Sequence, residues 1–155
     1  MDRFGDSDIH VPSLNIAGMP DWSGLTASDR FAMNESALLQ LHRSNLKAFK
    51  DLMFLVKLDE DLSNSPKDFG ANFSIISARL VRVVAMIEAV MGYQGYFQDG
   101  FPAPSTVSMT PTDNEMVRNI RDLYVLQELY SYLSVAHYDL YLWYGRHSYD
   151  MLTSH

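Results

Sequence analysis

Two stretches of the chain open alike, Ser65-Pro66-Lys67-Asp68 and Thr110-Pro111-Thr112-Asp113, and each leads into a long run of residues with helical apolar spacing. A hydroxyl able to cap an orphan amide, a proline at the first helical position and an acid near the positive end of the helix dipole make both stretches helix starts. Between the two helices lie the 19 residues Gly92 to Thr110, long for a connection inside a compact domain. The spacing predicts helices over 66–91 and 111–147, with Gly92 as the stop of the first and Gly145 as an end or fray of the second. Phe69, Phe73, Ile76, Leu80, Val83, Ile87 and Val90 step by threes and fours along the first, as a bundle seam does. Ile120, Leu123, Leu126, Leu129, Leu133, Leu140 and Tyr144 form one broad side of the second.

Ahead of these, residues 1–25 mix Asp, Ser, Pro and Gly without a helical or alternating period and read as a connecting loop. Thr26-Ala27-Ser28-Asp29 is a capping-box variant, and a helix is expected from there over 26–62, with a bend or break foreseen at Asn34–Ser36 and Ser44–Asn45. Only Ser63–Ser65 separate this helix from the next, so the two should be antiparallel neighbours. A 26-residue helix is about 39 Å long, whereas a 19-residue linker can span about 60 Å. The crossover over 92–110 can therefore run the length of the bundle and leave the last two helices parallel. The expected fold is all-α and a single domain over 1–155. Long overhand connections belong to up-up-down-down four-helix bundles, and short loops to up-down-up-down ones.

Composition narrows the function classes. A net charge of −7 with 12 Lys and Arg in 155 residues provides no basic patch for nucleic acid or an anionic membrane surface, so partners are expected to be proteins or small molecules. The chain has no cysteine, which removes disulfides, thiolate catalysis and Cys-ligated metal. Its first residues show no basic and apolar signal-peptide pattern, and no apolar run reaches the ~18 residues of a membrane span.

Catalytic motifs are missing too. There is no Glu-x-x-His pair for a carboxylate-bridged metal, no His-Glu-x-x-His, no phosphate-cradling glycine loop and no Gly-x-Ser-x-Gly elbow. Histidines 10, 42, 137, 147 and 155 are scattered and read as surface or helix-face residues. Asp59-Glu60-Asp61 lacks the glycine and bidentate glutamate of a calcium loop and reads as a solvated helix end. No enzyme activity, cofactor or metal is expected. Asn34-Glu35-Ser36 and Asn72-Phe73-Ser74 are sequons, which make Asn34 and Asn72 candidate N-glycosylation sites.

The last helix carries a second apolar side. Tyr124, Val135, Tyr138, Leu142 and Tyr149 group opposite its leucines, and such a face is covered by a crossover loop or by a partner. Several segments then resemble one family. Trp22-Ser23-Gly24-Leu25-Thr26, Asn45-Leu46-Lys47-Ala48-Phe49 and Val125-Leu126-Gln127-Glu128-Leu129 with Asp139-Leu140 are similar to the ciliary neurotrophic factor branch of the interleukin-6 group of long-chain helical cytokines. Pro12-Ser13-Leu14-Asn15-Ile16-Ala17-Gly18 and Asp29-Arg30-Phe31 through Ala37-Leu38-Leu39 resemble the cardiotrophins of the same branch.

The resemblance implies an up-up-down-down four-helix cytokine bundle of which helices B, C and D lie in this chain, with helix A expected before Met1. It implies a ligand, secreted or released without a conventional signal peptide, that assembles receptors including the group's shared signal-transducing subunit and triggers kinase and transcription-factor signalling. By position, Trp22 matches an aromatic that contributes to binding the specificity receptor. Tyr138, Trp143 and His147 lie in the same receptor region. The family's Phe and Lys for the leukaemia inhibitory factor receptor fall on Met116 and Asn119, which supply neither ring nor charge, and a mid-helix Arg of the branch falls on Val135. Without its first helix such a chain is expected to be poorly folded or to self-associate. The other reading of the residues is an intracellular helical adaptor that binds a partner through the aromatic face of its last helix.

Overall fold

The computed structural model describes residues 16–63, 69–97 and 107–153, with side chains as far as residue 146. Within them the chain forms α1 (Ala27–Phe31), α2 (Glu35–Asp61), α3 (Gly70–Tyr93) and α4 (Glu115–Thr153). Thr26 Oγ1 accepts the Asp29 amide and the Asp29 carboxylate accepts the Thr26 amide, so the capping box anticipated for the first helix is formed.

The helix expected over 26–62 is two helices. Asn34 holds extended backbone (φ −76°, ψ 168°) and its Oδ1 accepts the Ala37 amide at 2.8 Å, and a residue capping one helix cannot lie inside another. Of the two positions foreseen as a bend or break this one is a break, whereas α2 runs unbroken through Ser44–Asn45. The Ser65–Asp68 start lies outside the described residues, and α3 begins at Gly70 instead of residue 66. Gly92 does not end it. The helix continues to Tyr93, and Gly95 takes the left-handed turn (φ 75°), with the Tyr96 and Gly95 amides donating to the Met91 and Gly92 carbonyls at 2.9 and 3.2 Å. That is a Schellman cap. The last helix begins at Glu115, not at Pro111, because Asn114 is the cap: its Oδ1 accepts the Val117 amide at 3.1 Å, and its own amide donates to Thr112 Oγ1. It passes through Gly145 to Thr153.

Side-chain pairs set the helix directions. Arg43 near the start of α2 meets Glu88 near the end of α3, while the Phe69 amide donates to Glu60 at the end of α2. The two helices are antiparallel neighbours, as the short connection requires. Asp59 likewise meets Arg121 early in α4, and His42 meets Tyr132 and Asp139 further along. With α2 antiparallel to both, α3 and α4 run parallel. Their connection ends in an extended segment whose Ser108 amide donates to the Ala17 carbonyl.

At 100° per residue the α2 positions that meet α3 and those that meet α4 lie about 90° apart. The three long helices therefore stand at three corners of a square with α2 at the shared corner. The main interhelical packing is α2 on α3, followed by α2 on α4 and α1 on α4. Phe49, Leu52, Met53 and Val56 of α2 form the fully buried centre, closed by Phe73, Leu80 and Ile87 of α3 and Val125, Leu129 and Tyr132 of α4.

The buried seams differ in register from those read in the sequence. On α3 the buried positions are Gly70, Phe73, Leu80, Val84, Ile87 and Met91; Val83 and Val90 are exposed and Ile76 is half-buried. On α4 they are Arg118, Arg121, Asp122, Val125, Leu129, Tyr132, Ala136 and Asp139, of which only Leu129 belongs to the expected leucine side. Leu126, Leu133 and Leu140 pack on the rim of the core. The seam of α4 alternates apolar residues with paired charges, which a count of apolar residues passes over.

Candidate functional site

Of the residues that the resemblance singles out, Tyr138 and Trp143 lie where α1 packs on the later half of α4. Short α1 has little surface to bury, and one ion pair fastens it. Arg30 Nε donates to Asp139 Oδ2 at 2.6 Å and Nη1 to the Leu25 carbonyl at 2.7 Å, with the two charged side chains 8% and 6% exposed. The same carboxylate lies 3.2 Å from His42 Nε2 without hydrogen-bond geometry. His42 Nδ1 is 2.7 Å from the Tyr132 hydroxyl, which also accepts the Asn45 amide group at 3.0 Å. Since that oxygen accepts from Asn45, its proton is free to go to Nδ1, which leaves the ring proton on Nε2 beside Asp139.

Burial holds the His42 imidazole below the usual histidine range; Asp139 pulls the other way and Arg30 reinforces the burial. The ring is fully buried on the inner face of α2, so of the surface and helix-face readings of this histidine the surface one does not hold. Burial also pushes the Tyr132 phenol far up. The chain Arg30–Asp139–His42–Tyr132–Asn45 links α1, α2 and α4 in a polar network beneath the surface, where partly satisfied groups would be costly.

Trp22 covers that network. It is half-buried, edge-on to Tyr132 at 4.9 Å between centroids and tilted against Phe49 at 6.1 Å. Beside it α1 and α4 bound a cleft of about 230 Å³ lined by Phe31, Leu38, Tyr138, Leu142 and Trp143, with Arg30 and Asp139 at its base. Tyr138 is exposed; Trp143 is half-buried and edge-on to Tyr144. Arg146 stacks on the Phe31 ring at 4.2 Å. His147 lies on α4, but its side chain is outside the described residues, as is that of Tyr149. The structure thus brings Tyr138 and Trp143 to one cleft, whereas Trp22 packs on Phe49 and Tyr132 and is not part of its lining. Tyr144 donates to Glu35 at 3.2 Å and is pushed up to about 12 by burial and that carboxylate.

Met116 and Asn119 sit at the opposite end of α4. Met116 is exposed beside Asn114 and Glu115 over an open hollow, and Asn119 is half-buried. The second apolar side of α4 is covered in part by the chain's own segments: α1 lies over Leu142 and Tyr138, while Ile16–Ala17 and Ser108–Thr110 face Val117 and Ile120. Asp59 and Glu60 are not a solvated helix end. Asp59 pairs with Arg121 at 2.7 Å, Glu60 is buried beside Arg118 and accepts the Phe69 amide, and Arg121 also reaches Asp122 at 2.8 Å. These carboxylates face arginines on α4, and among the described residues no group of three or more His, Asp or Glu is arranged to hold a metal. Asn34 and Asn72 are both exposed, Asn34 with its Oδ1 engaged as a helix cap.

Both buried ion-pair groups escape a motif search. The signal that finds them is the 118, 122, 125, 129, 132, 136, 139, 143 spacing read regardless of polarity, together with opposite charges at matching levels of α1 and α2. No protein-family model, curated protein or solved structure matches the chain.

Proposed function

We propose that this protein is a cytokine-like ligand of the interleukin-6 group type. In this reading it acts outside the cell, by binding, and assembles receptors that include the group's shared signal-transducing subunit. The observation that carries it is the set of helix directions: α2 antiparallel to α3 and α4, the latter two parallel and joined by a long connection. That is the order of the second, third and fourth helices in an up-up-down-down cytokine bundle. The segment resemblances along the chain add the group.

In this reading the specificity receptor meets Trp22, Tyr138 and Trp143 around the cleft, where aromatic rings over a rigid base offer hot-spot chemistry. Met116 and Asn119 lack the ring and charge of the other receptor contact, so binding through that end of α4 is weak or absent. Surface plasmon resonance over immobilised ectodomains of the group's receptors tests this. Saturable binding to at least one, weakened at least tenfold by Tyr138→Ala, is the expected result. A folded protein that binds none of them refutes the proposal. The adaptor reading draws on the aromatic face of α4, where Tyr138 is exposed, and predicts that Tyr138→Ala weakens binding to an intracellular protein and that no receptor ectodomain of the group binds.

A further inference from the structure

One carboxylate oxygen of the buried network is within reach of two basic side chains. Asp139 Oδ2 accepts Arg30 Nε at 2.6 Å and lies 3.2 Å from His42 Nε2. That nitrogen is buried without a hydrogen-bond partner, since the carboxylate beside it is committed to the guanidinium. Other groups around the ring are neutral or engaged elsewhere. From α4 the Tyr132 hydroxyl meets Nδ1. On α3, Glu88 pairs with Arg43 of α2. On α1, the Asp29 carboxylate accepts the Thr26 amide, and ahead of α1 that of Asp21 accepts the Ser23 amide. A charge on His42 is therefore settled between Arg30 and Asp139.

A proton on Nδ1 turns the Tyr132 oxygen from donor to acceptor there and takes away the partner of its own hydrogen. It also sets two cations against one carboxylate in a site closed to water, a costly arrangement. His42 lies inside the 27-residue α2 and is fully buried, whereas Arg30 is the only buried residue of the five-residue α1. A helix that short does not hold by itself. Apart from the ion pair, the same guanidinium reaches the Leu25 carbonyl and the Phe31 ring lies under Arg146. When Arg30 moves out to water, the imidazolium takes over Asp139, and one buried cation replaces another. Burial holds the ring below the usual histidine range in the closed state, with Arg30 acting the same way and Asp139 against it. Loss of the guanidinium leaves Asp139 unopposed and raises the proton affinity of the ring.

We infer that Arg30 and His42 are alternative partners of Asp139, so that a proton taken up by His42 unlatches α1 from α4. The open state binds the proton more readily than the closed one, so the latch holds at neutral pH and opens as the pH falls below about 6.5. Opening carries the α1 wall of the cleft, Ala27, Ser28 and Phe31, away from Tyr138 and Trp143. This latch belongs to the buried pairing and is independent of the receptor proposal.

Hydrogen exchange of the full chain reads it through the Arg30, Ala32 and Met33 amides, which donate to the Thr26, Ser28 and Arg30 carbonyls. Mass spectrometry compares about pH 7.5 with about pH 5, which is still above the ordinary carboxylate range. After correction for intrinsic rates, protection of these amides falls at least tenfold on acidification. At both pH values it stays below that of Phe49–Met53 in α2, and the far-UV circular dichroism is unchanged. His42→Gln removes the pH dependence. In Arg30→Met, which has no guanidinium to displace, the His42 titration followed by NMR moves up by at least about half a pH unit. Protection that is the same at both pH values, that falls equally in a folded His42→Gln, or that matches α2 because α1 opens only with the whole bundle, overturns the inference. So does a His42 midpoint unmoved or lowered in Arg30→Met, a result that decides the matter even where His42→Gln does not fold.

Discussion

Removing the Asp139 carboxylate tests the role of the buried network directly. In Asp139→Ala the Arg30 guanidinium, 8% exposed, keeps the Leu25 carbonyl as a partner but loses its counter-charge, and α1 loses its tie to α4. Breaking a buried pair from one side costs about 3–5 kcal/mol, against a net stability of about 5–15 kcal/mol for a domain. With a urea dependence of about 2 kcal/mol per molar, the midpoint falls by about 2 M. Urea titration followed by circular dichroism reads this shift. Arg30→Met combined with Asp139→Leu replaces the pair by apolar side chains and should recover to within about 1 kcal/mol of the parent, because desolvating two charges offsets most of what their attraction contributes. A loss below about 1 kcal/mol in Asp139→Ala, or a double variant no better than the single one, would refute the reasoning.

Three further outcomes follow from local geometry. His42 is held below its usual range in the folded chain, so on acidification the unfolded state takes up the proton first. Its contribution is fully present above about pH 6.5 and is lost as the pH falls below that, at up to about 1.4 kcal/mol per pH unit; denaturant titrations from pH 7.5 to 5.5 should show the slope, and the same slope in His42→Gln would contradict it. Gly95→Ala should cost about 1–2 kcal/mol because Gly95 takes the left-handed turn of the α3 cap, whereas Gly145→Ala, with open space around its Cβ position inside α4, should stabilise by about 0.5–1 kcal/mol; thermal melts that reverse this order would be decisive. Asn34→Ala should cost about 1 kcal/mol by removing the α2 cap, and an unchanged melting temperature would count against the break between α1 and α2.

The helices and their directions were legible because their signals are local: the Thr26–Asp29 capping box, the 3-4 spacing around Phe73, Leu80 and Ile87, and the lengths of the two connections. Boundaries were less so. Gly92 and Pro111 carry strong intrinsic preferences, yet Gly95 and Asn114 set the ends, since a cap is decided by which side chain or backbone reaches the orphan groups. The α4 seam was misread because apolar residues mark every face that can be covered: Leu126, Leu133 and Leu140 pack only on the rim of the core, while Arg118, Asp122 and Asp139 face α2 or α1. The buried polar network depends on pairs up to 109 residues apart in sequence, and no local pattern announces it. Trp22, Tyr138 and Trp143 could be named from the resemblance, but the meeting of Tyr138 and Trp143 in one cleft required the path of α1 across α4.

The helix directions carry the proposed function, and distances between paired spin labels test them most directly. The chain has no cysteine, and Tyr93, Tyr141 and Ile75 are all exposed, so Tyr93→Cys with Tyr141→Cys and Ile75→Cys with Tyr141→Cys are clean label pairs. If α3 and α4 are parallel, the first pair sits at one level of the bundle, about 15 Å apart between backbones, and the second is separated by an additional axial offset of about 27 Å, or about 30 Å in all. The reverse order, with the Ile75–Tyr141 pair the shorter, would make the helices antiparallel and contradict both the topology and the ligand reading built on it.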